Sequence, residues 1–557
     1  MNPRGPLPSD DLPPGGILPP GSVHTLIRRI DASPDPLALF RHLTRDASAR
    51  DTLLLESADA VSKEPVQSLI IPHAAVRAVA RQRRVTLSAL TRNGQHAVSA
   101  IAHQFARHGA PHRRSESELV LTFPPPPAHA DDRTRIRAPS PLDVLRAMGQ
   151  RFTLVHSAAK GCLINAGVFA YDLLDNFEPL PEAHDDPLGY PDYAFWLAES
   201  VIRVDHRARQ TQIACHVFGA VDRHAVRSVH DDARRRLEQL VGPCANTAPH
   251  DLLGAHERSM SRPIPTGDAD LSDEDYADLV RKLKQRIVAG DVFQIVPSRT
   301  FSAPCTKPLD TYAALKQLNP SPYMFYVAAN DHTLFGASPE TAIKVSHSPA
   351  KENPGRRILQ IRPIAGTRQR GRHADGRIDL DLDNRLEVEL RLHEKEVAEH
   401  MMLVDLARND VARVSRPGTR HVDEILTTER YSHVMHLVSN VSGELAQDLD
   451  ELHAYQASMN MGTLVGAPKV RAAQILRECE PTKRGPYGGA VGYTTEDGEL
   501  DTAIIIRSAI VKNDIAYVRA GAGVVYDSDP HEEADETKRK AASVLTALAE
   551  VEPKRTS

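Results

Sequence analysis

The stretch Asp529–Leu548, DPHEEADETKRKAASVLTAL, reads as one amphipathic helix. Asp529 stands at the N-cap, Pro530 at the first helical position and Glu532 where a capping box places its acid. Ala534, Ala541, Val544, Leu545 and Leu548 mark a buried side. Glu533, Glu536 and Lys540 follow at i, i+3 and i+7, on a face bordering that side. A second stretch, Arg391–Val414, repeats the theme. Val397, Met401, Val404 and Val411 form an apolar stripe, with Glu396 and Glu399 three residues apart beside it. Neighbours at that spacing lie about 5–6 Å apart between Cβ atoms. Such a pair is most often a solvated acidic face. Two pairs at the edge of a core are also the donor set of a hard cation such as Mg²⁺, which takes carboxylate oxygens, water and substrate oxygens.

The composition narrows what surrounds these helices. The chain has 557 residues, 41% of them hydrophobic, so a large core is available, with a length prior of two to four domains. A formal net charge of −5 excludes the basic field of a general nucleic-acid binder. No apolar run reaches 18 residues, so no membrane span is expected. Met1–Gly21 is rich in Pro and Gly, which predicts a short disordered tail and not a secretory leader. The five cysteines, Cys162, Cys215, Cys244, Cys305 and Cys479, show no CxxC spacing, which fits a reducing cytoplasm. No Gly-rich phosphate loop is present.

Along the chain, Thr52–Leu55 predicts a buried strand ending in a polar turn, and Ser68–Pro72 a second short strand. No internal repeat is visible. Pro, Gly, His and Ser between Val241 and Asp270 mark a boundary. This divides the chain into a tail (1–21), an N-terminal region (22–245), a linker (246–270) and a catalytic unit (271–550). Ser272-Asp273-Glu274-Asp275 opens a helix in which Leu279, Leu283, Ile287 and Val288 form the buried stripe and Gly290 is the stop. Dense helix-like and strand-like segments after that point give an α+β fold class.

The second half resembles the chorismate-binding enzyme family. The resemblance is carried, in order, by Gly290–Ser298 (GDVFQIVPS), Asn319–Tyr326 (NPSPYMFY), Gly336–Glu340 (GASPE), Arg362–Arg368 (RPIAGTR), Asp405–Asp410 (DLARND), Met435–Ser439 (MHLVS), Gly485–Gly489 (GPYGG), Ala520–Gly523 (AGAG) and Glu533–Thr537 (EADET). It implies a large antiparallel-sheet sandwich with outer helices. It also implies a Mg²⁺ site in which Glu399 and Glu536 are the first ligands, with Glu396 and Glu533 in support. For chorismate, a dianion, the implied groups are Arg507, Tyr487, Gly366, Thr367 and the Gly521-Ala522-Gly523 loop. Arginine offers a bidentate fork to a carboxylate, and small residues let backbone N–H groups approach one.

Within the family, members that add water resemble one another in carrying a lysine where Gln294 stands. Those that make 4-amino-4-deoxychorismate carry a lysine nucleophile where Ala365 stands. Gln294 with Ala365 is the combination of the anthranilate synthases, which open L-tryptophan biosynthesis. The resemblance then makes Glu340 the general acid for the departing hydroxyl and ties His436 to pyruvate elimination. Lys540 pairs with substrate or with the glutamates.

Leu55–Asp59 (LESAD) is similar to the segment that binds feedback L-tryptophan in those enzymes. Glu56, Ser57, Pro322, Tyr323, Met324, Val491 and Tyr493 are the implied allosteric residues. Gln67 departs from a lysine that some members carry. No Gly-x-Cys-x-Gly setting surrounds any cysteine, so ammonia is expected from a separate glutamine amidotransferase subunit, in a heterotetramer. The alternatives are a sister enzyme that stops at an amino intermediate or serves phenazine synthesis, and a non-catalytic chorismate or tryptophan sensor.

Overall fold

A computed structural model of the chain describes residues 10–59, 64–107, 112–127, 131–182, 185–249, 267–348, 355–373, 377–430 and 434–552. Most of the expected linker and the first part of the expected tail therefore lie outside the described residues. The fold is α+β. Among the described residues 23 strands form one extended sheet, antiparallel except where Ser22–Ile30 runs parallel to Thr153–Leu154, and Gln294–Ile295 with Gly466–Ala467 form a separate two-stranded sheet.

The sheet is folded into a sandwich. Leu53, Ile71, Val168, Trp196, Phe325, Val327, Val491 and Ile505 fill its interior. Helices cover the outside. Arg223–Asn246, Pro308–Leu318 and Pro530–Val551 pack on one part of the sheet. Arg92–Arg107, Glu394–Val414, Glu451–Ser458 and Lys469–Cys479 pack on another.

The two halves of the chain share ladders. The strand Thr52–Ala58 lies between Pro65–Arg81 and Tyr323–Ala328, with Ser57 opposite both Gln67 and Tyr323. Ile164–Phe169 lies between Tyr193–Asp205 and Ala490–Thr495.

Four local expectations change. The short strand at Ser68–Pro72 is part of a 17-residue strand, Pro65–Arg81. Register shifts around His73 and Ala74 break its alternation and hide its length. The Arg391–Val414 stretch is two helices, Leu380–Leu392 and Glu394–Val414, separated by His393 in extended conformation. Met401, placed on the apolar stripe, is 37% exposed; the buried side runs through His400, Leu403, Val404, Ala407 and Val411. Similarly Val288 is 69% exposed, because the helix Asp273–Val288 ends there before Gly290 turns the chain at φ +80°.

Candidate active site

The terminal helix Pro530–Val551 starts as its residues dictate. Asp529 accepts from the backbone N–H groups of His531 and Glu532, and Pro530 sits in the first turn. A buried arginine then fixes the helix to the sheet. Arg299, on the strand Ser298–Pro304, donates to Thr537 Oγ1 at 2.9 Å and to the Ala534 carbonyl at 2.9 Å. Glu533 and Glu536 flank these two anchors and are presented toward the Glu394–Val414 helix. Lys540 pairs with Glu536 at 2.7 Å and donates to the Gly521 carbonyl at 3.1 Å. It therefore joins the helix to the loop that ends the strand Ile515–Gly521.

On the opposite helix, Glu399 accepts from Gln294 Nε2 at 3.0 Å. Gln294 is held on the short strand Gln294–Ile295, paired with Gly466–Ala467, and is 4% exposed. Its Oε1 is buried with no hydrogen-bond partner among the described residues. A Cβ at Gly523 would stand 3.0 Å from Gln294 Nε2, so the glycine makes room for this amide.

Burial raises the Glu399 carboxyl above its ordinary value, with further contributions from the like charges of Glu396 and Glu536. Burial also raises Glu533, whose Oε2 has no hydrogen-bond partner among the described residues. Glu396 differs, being paired with Arg368 at 3.0 Å. Among the described residues no three His, Cys, Asp or Glu side chains form a ready-made metal cluster. The crowding of Glu399, Glu533 and Glu536, with oxygens left over, nevertheless fits a hard divalent cation drawing them together.

Glu340 follows the strand Thr333–Ser338. Burial pushes its carboxyl up to about 8, so it holds a proton at neutral pH. Thr463 Oγ1 reaches its Oε1 at 3.4 Å. Arg507 and Lys540 lie within electrostatic reach and partly offset the rise. Arg507 adopts φ +47° between the strands Leu500–Ile504 and Ser508–Lys512, and its carbonyl accepts from Ala337 N at 3.1 Å. That left-handed conformation is uncommon for a bulky residue. It places a half-buried guanidinium near Glu340, Tyr487 and Glu536, with no hydrogen-bond or ion-pair partner among the described residues.

On the third side, the strand Ile364–Gln369 pairs with Val434–Glu444, setting Thr367 opposite His436. A register shift separates Ala365 from Thr367, and Gly366 takes φ +73° there. His436 Nδ1 lies 2.9 Å from Thr367 Oγ1 and 3.3 Å from the Gly366 carbonyl. A Cβ at Gly366 would meet Glu396 Oε2 at 3.3 Å, so this strand borders the glutamates. Tyr487 is buried, and its hydroxyl would lie 3.1 Å from a Cβ at Gly521.

Contacts and close approaches link these residues in one contiguous set, Gln294 to Glu399 and Gly523, Glu396 to Gly366, His436 to Thr367, Tyr487 to Gly521, and Arg507 and Lys540 to Glu340 and Glu536, while Glu340 and Thr463 line a small cleft with Arg362, Leu403 and Met461. Ala522 N–H is already taken by the Pro297 carbonyl at 3.2 Å, which reduces the donors that loop offers a ligand. Sequence reading missed Thr463, Arg368 and Arg484. Arg368 closes the Arg362–Arg368 motif and Arg484 precedes the Gly485–Gly489 motif, so both carried a local signal without a role being read from it, and Thr463 carried none.

A separate cavity lies between the two halves. Glu56, Ser57, Gln67, Tyr323, Met324, Val491, Tyr493 and Asp501 are among its walls. Pro322 stands beside it, its carbonyl accepting from Ala58 N at 2.9 Å. The Glu56 carboxylate is already engaged, by Tyr312 at 2.6 Å and Lys316 at 2.5 Å.

The family described as chorismate binding enzyme matches residues 69–546. Anthranilate synthase component 1 of Vibrio cholerae is 49% identical over 514 residues, 92% of this chain and 94% of the relative. Its counterpart in Escherichia coli is 46% identical, over 92% of this chain and 95% of the relative. The pyocyanine-specific anthranilate synthase component 1 of Pseudomonas aeruginosa is 44% identical, over 94% and 93%. Among solved structures, anthranilate synthase component I from Streptococcus pneumoniae superposes with a TM-score of 0.62 at 27% identity, over 86% of this chain and 92% of that one. The menaquinone-specific isochorismate synthase of Escherichia coli shares the fold, with a TM-score of 0.62 at 15% identity over 95% of each chain.

Proposed function

The chain belongs to the chorismate-binding enzymes, and on that premise we propose that it is the synthase subunit of an anthranilate synthase, converting chorismate and ammonia to anthranilate, pyruvate and water. The observation that supports this branch most is Gln294. Its amide is held by Glu399 at 3.0 Å inside the cleft, with Oε1 left as a bare acceptor. An amide neither protonates nor deprotonates near neutral pH, so it is no base for water. A bare carbonyl oxygen does accept an N–H, which suits ammonia.

Glu340 enters the cycle protonated and delivers its proton to the departing 4-hydroxyl as ammonia bonds to the ring. The ring then loses a proton and the enolpyruvyl group leaves as pyruvate. His436 serves this second stage. Its Nδ1 lies 2.9 Å from Thr367 Oγ1 and 3.3 Å from the Gly366 carbonyl, contacts that orient the ring. Arg507, Tyr487, Gly366, Thr367 and the Gly521–Gly523 loop hold the two substrate carboxylates. Glu399, Glu536, Glu533 and Glu396 would hold Mg²⁺, which when bound supplies a Lewis-acidic contact for a carboxylate oxygen. Before metal binds, Arg368 and Lys540 neutralise Glu396 and Glu536.

The cavity at Ser57 and Tyr323 is read as the L-tryptophan feedback site. Ammonia would come from glutamine through a partner amidotransferase, in a cytoplasmic heterotetramer committed to L-tryptophan synthesis.

The purified chain, given chorismate, Mg²⁺ and ammonium at mildly alkaline pH, should produce the blue fluorescence of anthranilate together with pyruvate. Millimolar L-tryptophan should suppress both. Absence of both products overturns the reading. An amino product without pyruvate assigns the chain to the sister reaction.

A further inference from the structure

Arg484 is buried beneath the cleft, and its guanidinium touches several of the segments that carry site residues. Nη1 donates to the Leu464 carbonyl at 2.7 Å, one residue past Thr463. Nη2 donates to the Val296 carbonyl at 2.6 Å, two residues past Gln294. Nε and Nη2 form a two-pronged pair with Glu480 at 2.8 and 2.6 Å. Its plane also lies 4.5 Å from the Tyr171 ring centroid and 5.9 Å from that of Tyr487.

Glu480 extends the tie. Its carboxylate accepts from the backbone N–H of Ser298 at 2.9 Å, the residue paired with Gly521, and from Arg519 at 2.9 Å. These charges hold the Glu480 carboxyl below its ordinary value in spite of burial. A buried ion pair is weak grounds for stability, since desolvation offsets much of the attraction. Its geometric content is greater. One rigid fork fixes the spacing of the strand bearing Gln294, the turn bearing Thr463 and the loop bearing Tyr487, while Glu480 fixes the Gly521 strand.

We infer that Arg484 is a positioning residue of the reaction: through Leu464, Val296 and Glu480 it sets Thr463 against Glu340 and Gln294 against the incoming nucleophile. It touches neither substrate nor reacting atoms. The inference rests on the proposed reaction and deepens it. Lysine cannot replace this function, because one ammonium on a flexible stem does not span two carbonyls and a carboxylate in fixed directions.

The test uses the full chain with chorismate, Mg²⁺ and saturating ammonium, comparing wild type with Arg484→Lys. The expected result is a kcat lower by about 10²-fold, the scale of a 1 Å misplacement, with a smaller change in KM for chorismate. The alkaline limb of the pH profile should also move upward, because the Thr463 contact that lowers the Glu340 value is loosened. A merely structural arginine would lower the melting temperature and leave the folded enzyme's kcat and pH limb in place; that result overturns the inference. Should Arg484→Lys fail to fold, Glu480→Gln keeps an acceptor for Ser298 and Arg484 and is read in the same way. The same limb shift in that variant supports the role, and a wild-type profile overturns it. A wild-type chain that turns over while both variants match it sinks the positioning role alone. A wild-type chain that makes no anthranilate sinks the reaction and this inference together.

Discussion

Glu340 is the residue on which pH acts most directly. Its carboxyl stands near 8 against an ordinary 4.5, with burial as the cause. The protonated form is the one the fold tolerates and the one that the proposed reaction needs for a leaving hydroxyl. Activity should therefore hold below about pH 8 and fall above it, even as the free-base fraction of ammonia grows. The same shift has a stability sign. A carboxyl whose folded value is raised stabilises through its protonated form, and that contribution drains away as pH rises from 4.5 through 8. Glu340→Gln should then lose about 10²–10⁴-fold in kcat and yet melt higher than wild type at pH 9, with little difference at pH 4. A pH–rate profile and melting curves at the two pH values check this. A second residue-scale outcome concerns the metal. Glu399→Gln should raise the Mg²⁺ needed for half activity by about 10–100-fold, the range seen when a metal site's partners are disturbed, as read by Mg²⁺ titration of the rate. Locally, both Glu-x-x-Glu pairs were legible as helix neighbours, since that spacing is a helix property. It could not show that Arg368 neutralises Glu396, because that pair joins a strand to a helix 28 residues away.

At the scale of elements, the terminal helix was the most legible part of the chain. Cap, first-turn proline and buried side all fall where the spacing places them. The acidic stretch before Val414 was less so. Its apolar period continues across His393 in the one-letter string, while the backbone there is extended and restarts a helix. What fixes the terminal helix was not legible at all. Arg299 reaches it from a strand more than 200 residues earlier, donating to Thr537 and Ala534. Arg299→Met should therefore cost about 1–3 kcal/mol through unpaired buried acceptors. It should also raise the Mg²⁺ requirement, because Ala534 and Thr537 flank Glu533 and Glu536. Urea unfolding and Mg²⁺ titration on the same preparation measure both. A stability loss with an unchanged metal requirement would separate the anchor from the site.

Across the whole molecule, the halves that composition divides near residues 241–270 are joined through the sheet. Thr52–Ala58 pairs with Tyr323–Ala328, and Ile164–Phe169 with Ala490–Thr495. The cavity proposed for L-tryptophan lies at the first of these seams. Ser57→Phe should abolish inhibition by L-tryptophan while leaving KM for chorismate unchanged, as initial rates with and without the amino acid will show. Such seams are hidden in a one-dimensional reading, because every strand there has an interior face and an ordinary apolar pattern. The family order of motifs made the family recognisable. Thr463 and Arg484 owe their places to how the turns meet in space, which no spacing rule encodes. The most direct measurement of the central claim follows the nitrogen. Chorismate is turned over with ¹⁵N-ammonium and Mg²⁺, and the products are identified by mass spectrometry. The account predicts anthranilate carrying the label in its amino group, with one pyruvate released per anthranilate. An unlabelled hydroxylated isomer of chorismate, or a labelled amino product with no pyruvate, would contradict it.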